Sequence, residues 1–462
     1  MTRDAPSWRD EAIAARSRQD LPAAGKACAE AKALAPGDGM TAFLAAQIAY
    51  ELGHPAAPLF AAARALLPGN RDVLRNEALA LASEGQGAAA DVLLGDALAG
   101  QPDWLEGQRV LASLRWTGGA TKSTGAEFDA GFARAVAAMP LHSGLWLGWF
   151  GALAQARAWV RALAVLDAAE RQIGRTRTIV TARAFAATET GELAAARALL
   201  AELGETGDTF ATLCRIRLAL RAGQPEQVEA LALPLTGTAQ AGQAWPYLSA
   251  AWRMLGDPRA QWLDGDPVHA WEVVPGFTPA ELAALTKILR GLHQAKAAYP
   301  DQSVRGGTQT DRSVLLRHEP ELQAARQRLM AAVAEIARAL PPPIANHPLL
   351  GRPRETLQIA GSWSVLLGPG GRNVAHSHPQ GWLSAVFYVE VADPAIMGAA
   401  PAGYLQLGAP PPELGTGLAA YRSIAPAAGK LAVFPSTMWH GTEPTIGGER
   451  LNLAFDVVST GQ

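Results

Sequence analysis

Cysteine is almost missing from this chain: Cys28 and Cys214 are the only two in 462 residues, far apart and outside any CxxC pattern. That excludes a disulfide framework and a thiolate zinc site alike, and it fits a reducing, cytoplasmic setting. A surplus of either charge is missing too. The formal net charge is −2 and the pI near 6.5, so no global field exists to hold nucleic acid or an acidic membrane surface. Long apolar runs are also absent. The opening stretch MTRDAPSWRDEAIAARS lacks an apolar segment followed by a small-residue cleavage site, and no uncharged apolar run reaches the roughly 18 residues of a membrane span. The expectation is a soluble protein, not exported, with neither nucleic acid nor membrane as partner.

What is there falls into two textures. From about residue 10 to 260 the chain is rich in Ala and Leu with helical periodicity, and its breakers recur. Pro36, Pro68 and Pro102 are 32 and 34 residues apart, and Gly53, Gly85 and Gly118 follow them by 17, 17 and 16. Each unit therefore divides into two short helices with a turn at mid-repeat. The pattern blurs between residues 120 and 180, then Gly191, Gly223 and Gly256 restore it at spacings of 32 and 33. About seven such units fit, each burying its apolar face only against its neighbours, which gives a curved solenoid.

After residue 274 the texture changes. Thr278-Pro279-Ala280-Glu281 reads as an N-cap, a proline at the first helical position and a capping-box glutamate. Leu282, Leu285, Ile288, Leu289 and Leu292 then make one apolar stripe, and a second amphipathic helix spans about 320 to 340 before PPP ends it. Beyond it, 357–367, 382–391, 430–436 and 450–458 read as strands between Gly- and Pro-rich turns, which points to an antiparallel sandwich or barrel. RGGTQT (305–310) reads as a glycine-rich loop, and the functional reading of it is a lid.

His376 and His378 stand at i and i+2, so on a strand both rings face one side. His440 lies 62 residues beyond His378 and needs a barrel to bring it near. Imidazole suits iron, copper, nickel and zinc alike, so spacing does not name the metal. His54, His142, His269, His293, His318 and His347 have no partner spacing. Trp363 and Trp382 read as packing residues.

The stretch from Trp363 to Asp456, with WSVLLGPGGRNVAHSHPQGWLSAVFYV, GYLQLG and GKLAVFPSTMWHGTEPTIGGERLNLAFDV, resembles the double-stranded β-helix core of 2-oxoglutarate/Fe(II) oxygenases. It is most similar to a bacterial branch that has an HxH element and often carries tetratricopeptide repeats, and RGGTQT is similar to that branch as well. The N-terminal half resembles tetratricopeptide repeats in period, closing proline and Ala/Leu pattern. The implied fold is multidomain α + β: a helical-repeat solenoid over 1–262, a linker over 263–275, and over 276–462 a jelly-roll, cupin-like double-stranded β-helix with flanking helices.

The resemblance implies iron on His376, His378 and His440. His378 stands where most of the superfamily has Asp or Glu, so the usual carboxylate ligand is missing. Arg450, ten residues after His440, is implied to pair with the distal carboxylate of 2-oxoglutarate through its planar fork. Asn452, Tyr388 and Ser384 are candidate supports, and Arg305, Gln309 and Trp439 candidate substrate contacts. The implied set is Fe(II), 2-oxoglutarate and O2, with hydroxylation of a peptide or protein held by the solenoid. Two other readings stay open: a repeat scaffold whose barrel senses without turnover, and a three-histidine dioxygenase that uses no keto acid.

Overall fold

The computed structural model describes residues 4–119, 127–204, 207–265, 269–310 and 313–460. Its N-terminal half is a run of paired helices: Ala5–Ser17 with Leu21–Leu34, Gly39–Glu51 with Ala57–Leu66, Arg71–Ser83 with Gly87–Gly100, and Leu105–Thr117 with Ala130–Ala138. Ser143–Gln155 with Trp159–Ile173, Arg177–Thr190 with Leu193–Leu203, Thr209–Arg221 with Pro225–Ala232, and Ala241–Leu255 with Arg259–Asp264 continue it. Alanines such as Ala12, Ala24, Ala63, Ala90 and Ala162 are fully buried between the helices, which lets the axes approach closely. Among the described residues there are eight pairs, one more than the breaker spacing predicts.

The extra pair lies in the blurred stretch, and the turns explain the blur. A left-handed residue ends the first helix of each pair, and Gly53, Gly85, Gly119, Gly191, Gly223 and Gly256 supply it with φ between +66° and +88°. The fourth turn uses Gly119; Gly118 beside it is still right-handed. In the first and fifth pairs the residue is Gln19 (φ 61°) and Arg157 (φ 55°). Both side chains reach the C-terminal half: Gln19 Nε2 donates to the Ile359 carbonyl at 2.6 Å, and Arg157 pairs with Glu413 at 2.9 Å. A glycine there would relax the backbone and lose the contact.

Among the described residues the C-terminal half has nine strands: β1 Trp271–Val273, β2 Val304–Gln309, β3 Leu357–Asn373, β4 Leu383–Val391, β5 Leu405–Leu407, β6 Arg422–Ile424, β7 Leu431–Pro435, β8 His440–Thr442 and β9 Arg450–Ser459. They form a six-stranded antiparallel sheet in the order β1-β7-β4-β9-β3-β2 and a three-stranded sheet β6-β5-β8. Two expectations are corrected here. RGGTQT is an edge strand paired with β3, not a loop or lid; Gly306 at φ 71° makes a bulge that the glycine count disguised as a turn. The expected linker 263–275 contributes β1, which pairs with β7.

Strand alternation divides the large sheet into two faces. Leu383, Phe387, Leu431, Val433, Leu451, Leu453, Phe455 and Val457 pack under the helices Pro279–Leu292 and Pro320–Ala339, against Leu285, Leu289, Leu322, Leu329 and Val333. Each such side chain contributes roughly 1.5–3 kcal/mol when buried. The capping box at Thr278 and Glu281 is present. The other face looks toward the small sheet and carries Arg450, Asn452, Ala454 and Asp456 at every second position of β9. Among the described residues no helix is long and apolar enough to cross a membrane.

Candidate metal centre

His376 and His440 are backbone partners in an isolated antiparallel bridge, with the amide of each donating to the carbonyl of the other at 2.9 and 2.8 Å. The bridge sets their rings 4.2 Å apart between centroids. The amide of His378 donates to the Ser436 carbonyl at 2.8 Å, and its ring lies 4.9 Å from each of the other two. One nitrogen of each ring lies within 4.8 Å of those of the other two.

The three rings have the same arrangement behind them. Nδ1 of His376 meets the Val374 carbonyl at 2.8 Å, Nδ1 of His440 meets the Met438 carbonyl at 3.0 Å, and Nδ1 of His378 meets Oδ1 of Asp456 at 2.7 Å. Each acceptor calls for the proton on Nδ1, which leaves the Nε2 lone pair bare, the arrangement of a metal-ligating histidine. Burial, with His378 nearby, holds His376 down at about 3. Burial likewise keeps His440 well below the usual imidazole range. Both are neutral donors at physiological pH.

Asp456 is the functional residue that sequence reasoning passed over. Its Oδ1 also accepts from Ser384 Oγ at 2.6 Å, and that hydroxyl lies 2.9 Å from Ser436 Oγ. Ser384 therefore belongs to the network behind His378 and also borders the cavity. Trp363 stands edge-on to His378 with centroids 5.4 Å apart.

The three histidines border a cavity of about 440 Å³ whose walls include Trp363, Val365, Ser384, Tyr388, Phe434, Thr442, Asn452 and Asp456. The register places Tyr388 opposite Asn452 and Ser384 opposite Asp456. Arg450 lies beyond Asn452 on the same strand face, nearly inaccessible, with one guanidinium nitrogen donating to the Gly403 carbonyl and another to Thr442 Oγ1 at 3.1 Å. Burial pulls it below the usual guanidinium value, while Tyr388 acts against this. Arg450 Nε, Tyr388 Oη and Asn452 Oδ1 are buried without a hydrogen-bond partner among the described residues. Three orphaned polar atoms on adjacent strands mark a place built for a polar ligand.

Arg305 and Gln309 also border the cavity. Trp439 does not. Its indole donates to the Pro246 carbonyl at 2.9 Å and meets Tyr247 edge-on at 5.5 Å, which anchors the last solenoid helices, and it borders instead a neighbouring cavity of about 330 Å³ that also reaches His376.

Residues 361–456 match the model of the family described as "Putative 2OG-Fe(II) oxygenase". No curated protein matches the chain in sequence. Among solved structures, a prolyl-4-hydroxylase from Pseudomonas putida is similar at 20% identity, covering 42% of this chain and 94% of its own, with a TM-score of 0.29. HygX from Streptomyces hygroscopicus, solved with nickel and 2-oxoglutarate, is similar at 12% identity over 44% and 87%, with a TM-score of 0.30. A tetratricopeptide repeat protein from Parabacteroides merdae is similar at 14% identity over 50% and 91%, with a TM-score of 0.32.

Proposed function

We propose that the chain is a non-haem Fe(II), 2-oxoglutarate-dependent hydroxylase, in which residues 276–462 carry the chemistry and the tetratricopeptide-like residues 1–262 help to hold a peptide or protein substrate. The observation that carries this reading is the common arrangement of His376, His378 and His440, each engaged at Nδ1 and each bordering one cavity. The match of 361–456 to an oxygenase family supports it.

The chain's own groups have distinct tasks in this reading. His376, His378 and His440 would hold the iron, with Asp456 supplying behind His378 the negative charge that no ligand provides. Arg450 and Tyr388 would take the distal carboxylate of the keto acid, their orphaned Nε–H and Oη–H donating to it in charge-assisted bonds, and Asn452 would reach it only by donating from its amide Nδ2. Bound iron and 2-oxoglutarate would supply oxidative decarboxylation coupled to oxygen insertion into a substrate C–H bond, using O2. Trp363 and Phe434 form apolar walls of the cavity.

The test is an anaerobic titration of the apo-protein with Fe(II) and then 2-oxoglutarate, following the visible charge-transfer band of a chelated keto acid. The band is expected in wild type, absent in His440→Ala, and shifted to much higher 2-oxoglutarate in Arg450→Ala. An absent band with iron still bound would favour a three-histidine dioxygenase that uses no keto acid, a reading to which the lack of a carboxylate ligand lends weight.

A further inference from the structure

Arg305 on β2 borders the same cavity as the histidines, and among the described residues its guanidinium donates to backbone carbonyls alone, those of Gln302 at 2.6 Å and Val304 at 2.8 Å. Its register partner across the sheet is Arg372 on β3. Like charges directly opposite each other on antiparallel strands repel.

A third arginine arrives from the solenoid. Arg157, at the glycine-free turn, borders a neighbouring cavity of about 330 Å³ that shares His376, Ser377 and Val374 with the first. Arg305 feels Arg157, Arg372 and Glu413 together: burial first, then Arg157 and Arg372, push its guanidinium below the usual value, and Glu413 alone opposes them. Glu413 is already paired with Arg157. Asp301 borders the metal cavity too, but it is exposed and makes no ion pair with Arg305. Among the described residues neither Arg305 nor Arg372 has a carboxylate partner, Arg305 being half-buried at the cavity and Arg372 exposed beside it.

We infer that Arg305, with Arg372 beside it, is the specificity element of this site and takes a carboxylate of the substrate, so that the group oxidised at the histidines belongs to or adjoins an acidic residue. The inference rests on the proposed oxygenase reading for what happens to that substrate, but not for the binding. Arg305 is separate from Arg450: Arg450 is buried on β9 and bonded to the Gly403 carbonyl and Thr442 Oγ1, whereas Arg305 is half-buried on β2 at the border of the cavity. A carboxylate held at Arg305 replaces the missing counter-charge of the Arg305 and Arg372 pair, which makes binding selective for acid over its neutral amide.

The probe is a peptide array with one fixed position, Asp, Glu, Asn, Gln, Ala or Lys, within randomised flanks, read for binding of the full-length protein under nitrogen with 2-oxoglutarate present. A parallel arm uses free N-acetyl, C-amide aspartate and glutamate as competitors, which separates a peptide side chain from a small acid as the source of the carboxylate. The Asp and Glu sets are expected to bind about tenfold or more tighter than Asn and Gln. Arg305→Gln should abolish that preference, Arg305→Lys should restore part of it, and Arg372→Gln should weaken it. Equal binding of acid and amide sets, a preference for Lys, no binding of any set or competitor, or a preference that survives Arg305→Gln would each overturn the inference. So would a shift of the 2-oxoglutarate midpoint in Arg305→Gln, because Arg305 would then be serving the keto acid. Failure of the oxygenase reading registers separately, as loss of the iron and keto-acid band in wild type.

Discussion

At the scale of single residues, the site is decided by where its negative charge sits. A carboxylate two residues after His376 would touch a metal directly; here His378 takes that place, and Asp456 meets its far nitrogen at 2.7 Å. A hydrogen-bonded carboxylate makes the imidazole more basic and fixes its ring, and losing such a partner typically reduces metal affinity by about 10–100-fold. Asp456→Asn keeps an oxygen for Nδ1–H to meet and removes only the charge. The variant is expected to fold normally and to bind Fe(II) about tenfold more weakly by competition with a chelator; an unchanged affinity would show that the charge of Asp456 does nothing for the metal. His376, His378 and His440 were legible because each is a rare residue at telling spacing. Asp456 was hidden by its 78 residues of separation from His378, yet β9 held the signal: Arg450, Asn452 and Asp456 alternate in polarity along an otherwise apolar strand, and a face that holds the first two holds the third.

Among the elements, the long strands and both C-terminal helices were readable because period and caps agree, whereas β1, β5, β6 and β8 have three residues each, too few to show a period. β2 was misread because its glycines serve a bulge. What fastens that edge strand is His293, which caps Pro279–Leu292: its Nδ1 meets Thr308 Oγ1 at 2.8 Å on β2 and its Nε2 meets Ser364 Oγ at 3.0 Å on β3. Burial, with Arg290 nearby, holds His293 down at about 4. The folded chain thus resists a proton that the unfolded chain accepts below about 6.5. The stabilisation from the neutral ring is complete above about pH 6.5 and is lost as pH falls toward 4. His293→Gln should lower Tm at about pH 7.5, with the gap from wild type narrowing at about pH 5. A gap that stays constant across that range would mean the ring's ionisation is not coupled to folding.

On the scale of the whole molecule, the solenoid and the barrel are bound into one structure by the turns of the first, second, fourth and fifth helix pairs. Gln19 meets Ile359, the Leu52 carbonyl accepts from the His318 amide at 2.9 Å, the Thr117 carbonyl accepts from the Lys296 amide at 2.8 Å, and Arg157 pairs with Glu413. Further along, Gly242 lies so close to Pro379 that a Cβ would stand 2.1 Å from its carbonyl oxygen, and Trp439 and Leu414 of the barrel share one buried cluster with Leu248 and Trp252 of the solenoid. None of this was legible, because each contact joins lone residues from distant parts of the chain with no repeating pattern. Two units joined by a polar, wet interface of ordinary size melt separately. Here Leu414 and Trp439 of the barrel are buried in one cluster with solenoid helices, and β1 enters the sheet from the stretch between the halves. The full chain should therefore unfold in a single calorimetric transition with calorimetric and van't Hoff enthalpies in agreement. Trp439→Ala should lower that transition as a whole, by about 3–5 kcal/mol of stability, because the cavity it leaves is lined from both sides. Two resolved endotherms in wild type, or a Trp439→Ala effect confined to one of them, would mean that the repeats are a detachable module able to move independently of the histidines.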